Sequence, residues 1–273
     1  MTPPSAACVR ALAATAALAV LGGCATSVST TSGPITDAQV ARDATPNEDA
    51  TRRARVRMEL ALAYFGRGQY DVALEETQRV LAIDPSVGGA YNLQGLIYAS
   101  KGDDAQAEQN FRRALQVNPR DADTMQNLGW FYCQRKRHAE GDQQFQQALA
   151  SPQNRDIART LLAQGVCRSM AGQLAEAEAA LTKSYEQDPG NASTAINLAE
   201  VLFKRGEYER ARFYVRRVNN VPTMVSAQTL WLAARIEHKL GNAGGAQDLG
   251  RQLRSRFAES REAAAFERGQ FNE

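Results

Sequence analysis

The chain has 273 residues, of which 44% are hydrophobic and 23% charged, proportions of an ordinary folded protein with room for one extended or two compact domains. Its 32 basic and 30 acidic side chains leave a net charge of +2, so there is no global field to draw nucleic acid or an anionic membrane face. Only two histidines are present, His138 and His238, which leaves little material for histidine-based metal or acid–base chemistry.

The N-terminus is unlike the rest. Arg10 precedes a run, residues 11–23, without a single charge. The run is shorter than the roughly 20 apolar residues that a membrane span needs. A positive residue, a short apolar core and small residues before a cut describe a signal peptide over residues 1–23. Leu21-Gly22-Gly23-Cys24 resembles the bacterial lipobox. The resemblance implies cleavage before Cys24 and a diacylglycerol on its thiol; the alternative is an ordinary signal peptide cut elsewhere. Residue 25 is Ala, not the Asp that retains lipoproteins at the inner membrane in enterobacterial-type sorting, so the outer membrane is the expected destination. One acyl chain anchors marginally and several anchor firmly. Residues 24–50, rich in Ser, Thr, Ala and Asp, are expected to form a disordered tether.

From residue 51 to 273 the chain repeats itself. Ala73, Ala107 and Ala177 each follow a glycine by five residues (Gly68, Gly102, Gly172) and precede a proline by 12 (Pro85, Pro119, Pro189). The step from Pro85 to Pro119 is 34 residues, the period of the tetratricopeptide repeat. The glycine permits positive φ between two helices, and the alanine lets them approach. Leu74, Val80 and Leu81 at helical spacing fill the seam, and Asp-Pro or Asn-Pro ends the pair. Weaker copies occupy the gaps, one with Gly141 in place of the alanine and about two extra residues around Pro152. The expectation is an all-α superhelical solenoid of six helix-turn-helix repeats, near 54–87, 88–121, 122–157, 158–191, 192–226 and 227–258. A capping helix over Glu259 to Arg268 would cover the last apolar face.

No catalytic signature is present: no HExxH, GxSxG, P-loop or GxGxxG after a strand. The acidic pairs Glu75-Glu76 and Asp103-Asp104 read as solvated helix surface or helix starts. No enzyme activity, cofactor or metal is expected. Cys133 and Cys167 fall in the first helices of the third and fourth repeats, which pack side by side. In an oxidising compartment a disulfide there closes a loop of about 35 residues and contributes roughly 4 kcal/mol in the chain-entropy treatment. The alternative is two buried thiols, because the cysteines occupy different positions in their repeats, the twelfth and the tenth.

Solenoids of this kind bind extended peptides or helices on the face lined by first helices. Positions 2, 5, 9, 12 and 13 of the first three repeats supply Met58, Leu62, Phe65, Asn92, Leu96, Gln126 and Trp130, an apolar strip with two amides. Leu62, Phe65, Asn92, Leu96 and Trp130 are the candidate partner-binding residues; for Leu62 and Leu96 a place in the core is equally open. Trp231, Arg235 and His238 form either a second patch or the covered end of the stack.

Three segments share a further likeness. MQNLGWFYCQRKRHAEGDQQFQQAL is similar to the NYGWFLC repeat of the type IV pilus biogenesis and stability lipoproteins of the PilW/PilF kind. LLAQGVCRSMAGQLAEAEAAL resembles the next repeat of that family, which also carries a cysteine. The segment from Leu230 to Phe271, with Leu-Arg-Ser-Arg-Phe and a final Arg-Gly-x-Phe, resembles its closing portion. Leu128 and Tyr132 stand where the family often has Tyr and Leu. The resemblance implies a monomeric, non-enzymatic pilotin, lipid-anchored on the periplasmic face of the outer membrane. Its partners are then secretin subunits, which it helps to reach that membrane and multimerise. A general periplasmic scaffold lipoprotein for envelope or β-barrel assembly is the alternative.

Overall fold

The computed structural model describes residues 46–271. The expected signal peptide, the expected lipidation site Cys24 and nearly all of the expected tether lie outside the described residues. Thirteen α-helices follow, and among the described residues there is no strand. They are α1 (Pro46–Gly66), α2 (Tyr70–Ile83), α3 (Gly88–Lys101), α4 (Asp104–Val117), α5 (Ala122–Gln134), α6 (His138–Ala150) and α7 (Ile157–Met170). Then come α8 (Leu174–Gln187), α9 (Ala192–Lys204), α10 (Tyr208–Asn219), α11 (Ala227–Lys239), α12 (Ala243–Arg256) and α13 (Arg261–Glu267). Consecutive helices pair antiparallel as six repeats, and α13 closes the stack against α11 and α12.

Two boundaries differ from the sequence reading. The fourth repeat opens at Ile157 rather than at residue 158. More substantially, α1 begins at Pro46, inside the 24–50 stretch expected to be tether. Proline suits the first helical position because its missing N–H has no partner there anyway. Glu48 and Asp49 in the first turn favour the positive end of the helix dipole, and Arg52 closes an ion pair onto Asp49 at 2.5 Å.

The turn between paired helices uses a left-handed residue. Gly102, at φ 81°, donates its N–H to the carbonyls of Ala99 and Tyr98 and so ends α3. In the third repeat Lys136 takes that conformation at φ 61°, although a side chain there crowds the following carbonyl. Helix starts are satisfied locally: Asp103 accepts from the Gln106 N–H, Asn191 from that of Thr194, and Ser226 forms a reciprocal box with Thr229.

The seam of each pair is a large side chain pressed against a small residue. A Cβ on Gly95 would lie 2.7 Å from the ring of Phe111, and one on Gly165 would lie 2.5 Å from Leu181 Cγ. Phe111, Phe145 and Leu181 are fully buried as a result. The same small position carries Ala61, Ala199 and Ala234 in other repeats, each fully buried. First helices of neighbouring repeats touch one another, and no comparable contact joins successive second helices. The first-helix side is therefore the inner side of the curve.

Candidate functional site

The residue following each small seam residue turns towards the inner side. In chain order these are Leu62, Leu96, Trp130, Val166, Glu200 and Arg235. The line is apolar through four repeats and charged in the last two. Leu62 keeps 50% of its surface exposed. Leu96 is half-buried and touches two core clusters, that of Leu93 and Ile97 and that of Phe111 and Phe131. Phe65 is half-buried beside Tyr70, with ring centroids 5.7 Å apart. Trp130 is half-buried over Cys133, Phe145 and Cys167.

The amides connect one first helix to the next. Asn127 Nδ2 donates to Asn92 Oδ1 at 3.1 Å, and Thr160 Oγ1 donates to Gln126 Oε1 at 2.9 Å. Asn92 thus uses its oxygen within the solenoid. The candidate residues lie on the first helices of the first three repeats: Leu62 and Phe65 on α1, Asn92 and Leu96 on α3, and Trp130 on α5. Asn127 and Thr160 escaped the sequence reading, although residue 160 lies one 34-residue period after residue 126.

At the far end the line is closed. Arg235 lies over the Phe203 ring at 4.4 Å, and its Nε donates to the Phe271 carbonyl at 3.4 Å. Burial pulls its guanidinium below the usual arginine value, and Glu200 opposes that pull. His238 stacks on Phe271 at 4.2 Å, and Trp231 meets both Phe271 and Phe266. Phe266 in turn fills the space above Gly250, where a Cβ would lie 2.0 Å from its ring. Trp231 and Arg235 are thus half-buried at the end of the stack rather than an open patch, while His238 remains exposed with one face of its ring on Phe271.

Cys133 and Cys167 are joined as a disulfide, with their Cα atoms 5.7 Å apart. Helix α6 must come close for this to happen. A Cβ on Gly141 would lie 2.8 Å from the Gly129 carbonyl oxygen and 3.4 Å from Cys167 Sγ. That is why this repeat has glycine where the others have alanine. His138 Nδ1 stands 3.7 Å from one sulfur and 3.9 Å from the other.

The outer seam between the second and third repeats holds an ionic cluster. Arg137 Nη1 donates to Glu108 at 2.6 Å, Tyr132 Oη donates to the same carboxylate at 3.0 Å, and Arg137 also caps the Tyr132 ring at 4.2 Å. Arg137 holds the Glu108 carboxyl below its ordinary range, and burial raises the Tyr132 phenol. A hollow of about 810 Å³ lies on this side against Tyr91, Gln106, Glu108, Arg112 and Gln116. It is open and polar, with nothing to hold an apolar segment, and it is separate from the inner strip. Neither region brings together a nucleophile, a base and an orienting group.

The tetratricopeptide-repeat family matches at residues 58–122, 122–151 and 170–221. No curated protein matches the sequence. Among solved structures the chain is similar to PilW, described as a widely conserved type IV pilus biogenesis factor: 29% identity, TM-score 0.72, over 78% of this chain and 97% of that one. It is similar to PilF of Pseudomonas aeruginosa at 24% identity and TM-score 0.69, over 81% of this chain and 99% of that one. A tetratricopeptide repeat protein from Parabacteroides merdae shares the fold at 17% identity and TM-score 0.55, over 86% and 88% of the two chains.

Proposed function

We infer that this tetratricopeptide-repeat protein serves type IV pilus biogenesis by binding another protein rather than by catalysing a reaction. The observation that carries the reading is the likeness to PilW, which extends over 97% of that chain. The inner strip supplies the means. Leu62, Phe65, Leu96 and Trp130 offer apolar and aromatic anchors, and Asn92 places an amide among them.

The specific role proposed is that of a pilotin. Cys24 carries lipid and holds the chain at the periplasmic face of the outer membrane, residues 25–45 give reach, and the strip takes a segment of the secretin subunit. Bringing subunits to one membrane surface raises their effective concentration and favours the multimeric channel.

The test is deletion of the gene followed by immunoblotting of heat-resistant secretin multimers and imaging of surface pili. Multimers should fall and monomers accumulate; unchanged multimers and pili would sink the pilotin reading. A Cys24→Ser chain should leave the outer-membrane fraction. If it stays there at the wild-type level, the lipid anchor is wrong while the binding strip stands.

A further inference from the structure

Two residues beside the disulfide have no part in the reading above. His138 opens α6 and Met170 closes α7. The two cysteine sulfurs and His138 Nδ1 all lie within 4.8 Å of one another, and Met170 Sδ is 3.8 Å from Cys133 Sγ. Two thiols, an imidazole nitrogen and a thioether around one point are the donor set of a thiophilic d10 cation. The donors come from three different helices, α5, α6 and α7, so the fold itself brings them together. The cysteines are buried, His138 is half-buried and Met170 is 51% exposed, which gives a short route from solvent to the sulfurs.

We propose that the dithiol form of the chain, the form in which cysteine is synthesised, binds one Zn2+ or Cu+ through Cys133, Cys167 and His138. Met170 is the fourth donor for Cu+; water completes the shell of Zn2+. Binding is ligand exchange. Each thiol releases a proton to solvent as its metal–sulfur bond forms, and no electron moves. Disulfide formation instead removes two electrons and two protons from the same sulfurs. Metal and disulfide therefore exclude one another, and each fastens α5 to α7. A bound metal protects the thiols from oxidation until it leaves.

The experiment uses the full chain, reduced with a phosphine and desalted without oxygen. Co2+ is the spectroscopic probe for the zinc state, and Cu+ affinity is read by competition with a chromophoric chelator. One Co2+ per chain should bind with a thiolate-to-metal charge-transfer band. Zn2+ should displace it and should slow thiol alkylation. His138→Ala should weaken both metals by roughly tenfold or more. Met170→Leu should weaken Cu+ alone. Circular dichroism of each variant shows whether the helices are retained, and the oxidised wild-type chain is a metal-negative control that carries no mutation. The site is overturned if the oxidised chain binds as tightly as the reduced one, or if a folded His138→Ala chain keeps both spectrum and affinity. An unchanged Cu+ affinity in Met170→Leu removes the thioether from the site.

Discussion

At one end of the inner line Leu62 leaves half its surface in water; at the other end Arg235 lies over Phe203 and is bonded to the Phe271 carbonyl. Both stand at the same place in their repeats. The difference is what covers them. The last pair is roofed by α13 and the chain up to Phe271, which place two aromatic rings on Trp231. Nothing among the described residues roofs α1, whose Val56 and Leu60 are 47% and 42% exposed in addition to Leu62. Exposed apolar residues gathered at one end mark a contact surface better than the same residues scattered singly. The comparison sets a covered end against an open one, and the proposed recognition falls to the open end.

Four sets of substitutions break or sharpen that division. The largest effect belongs to the junction between the halves. Replacing both Cys133 and Cys167 with Ala removes a link that closes 34 residues and should lower unfolding free energy by about 4 kcal/mol, read from urea midpoints. Phe266→Ala comes next. It empties the space above Gly250 and should cost about 3 kcal/mol. Proteolysis should then release the segment after Arg256, while secretin binding is unchanged. A simultaneous loss of binding would break the division.

Lys136→Gly relieves the left-handed strain at the third turn and should raise the melting temperature by the equivalent of about 1 kcal/mol. The smallest effect on stability is expected at the open end. Leu62→Asp should change unfolding by no more than about 0.5 kcal/mol, because the side chain is already half in water. It should nevertheless abolish secretin capture. If binding survives Leu62→Asp and Trp130→Ala together, recognition belongs elsewhere.

Much of this was legible from one dimension. The Gly and Ala pairs ending in Pro85, Pro119 and Pro189 carry the helical pairs because each works within its own turn. Burial on the inner line was not legible. Leu62 and Leu96 are the same residue at the same position, yet Leu96 has a first helix on either side and Leu62 has one on a single side only. Part of Leu62's exposure is thus an effect of standing first in the stack. The covering of Trp231 and Arg235 depends on Phe266 and Phe271, a full repeat later in the chain. The tenth and twelfth positions of the cysteines looked mismatched. Their meeting depends on how closely α6 nests at Gly141, which spacing alone does not express.

The disulfide also sets how the solenoid answers a pull. A stack of repeats held only by neighbours can be peeled from an end one pair at a time. Loaded along the chain, this stack would yield its end pairs freely, but the third and fourth repeats share a covalent stitch. The stitch withholds a 34-residue loop from extension, about 110 Å of contour length. The chain would then carry its own stop against overstretching, set at the repeats that link its open end to its capped one.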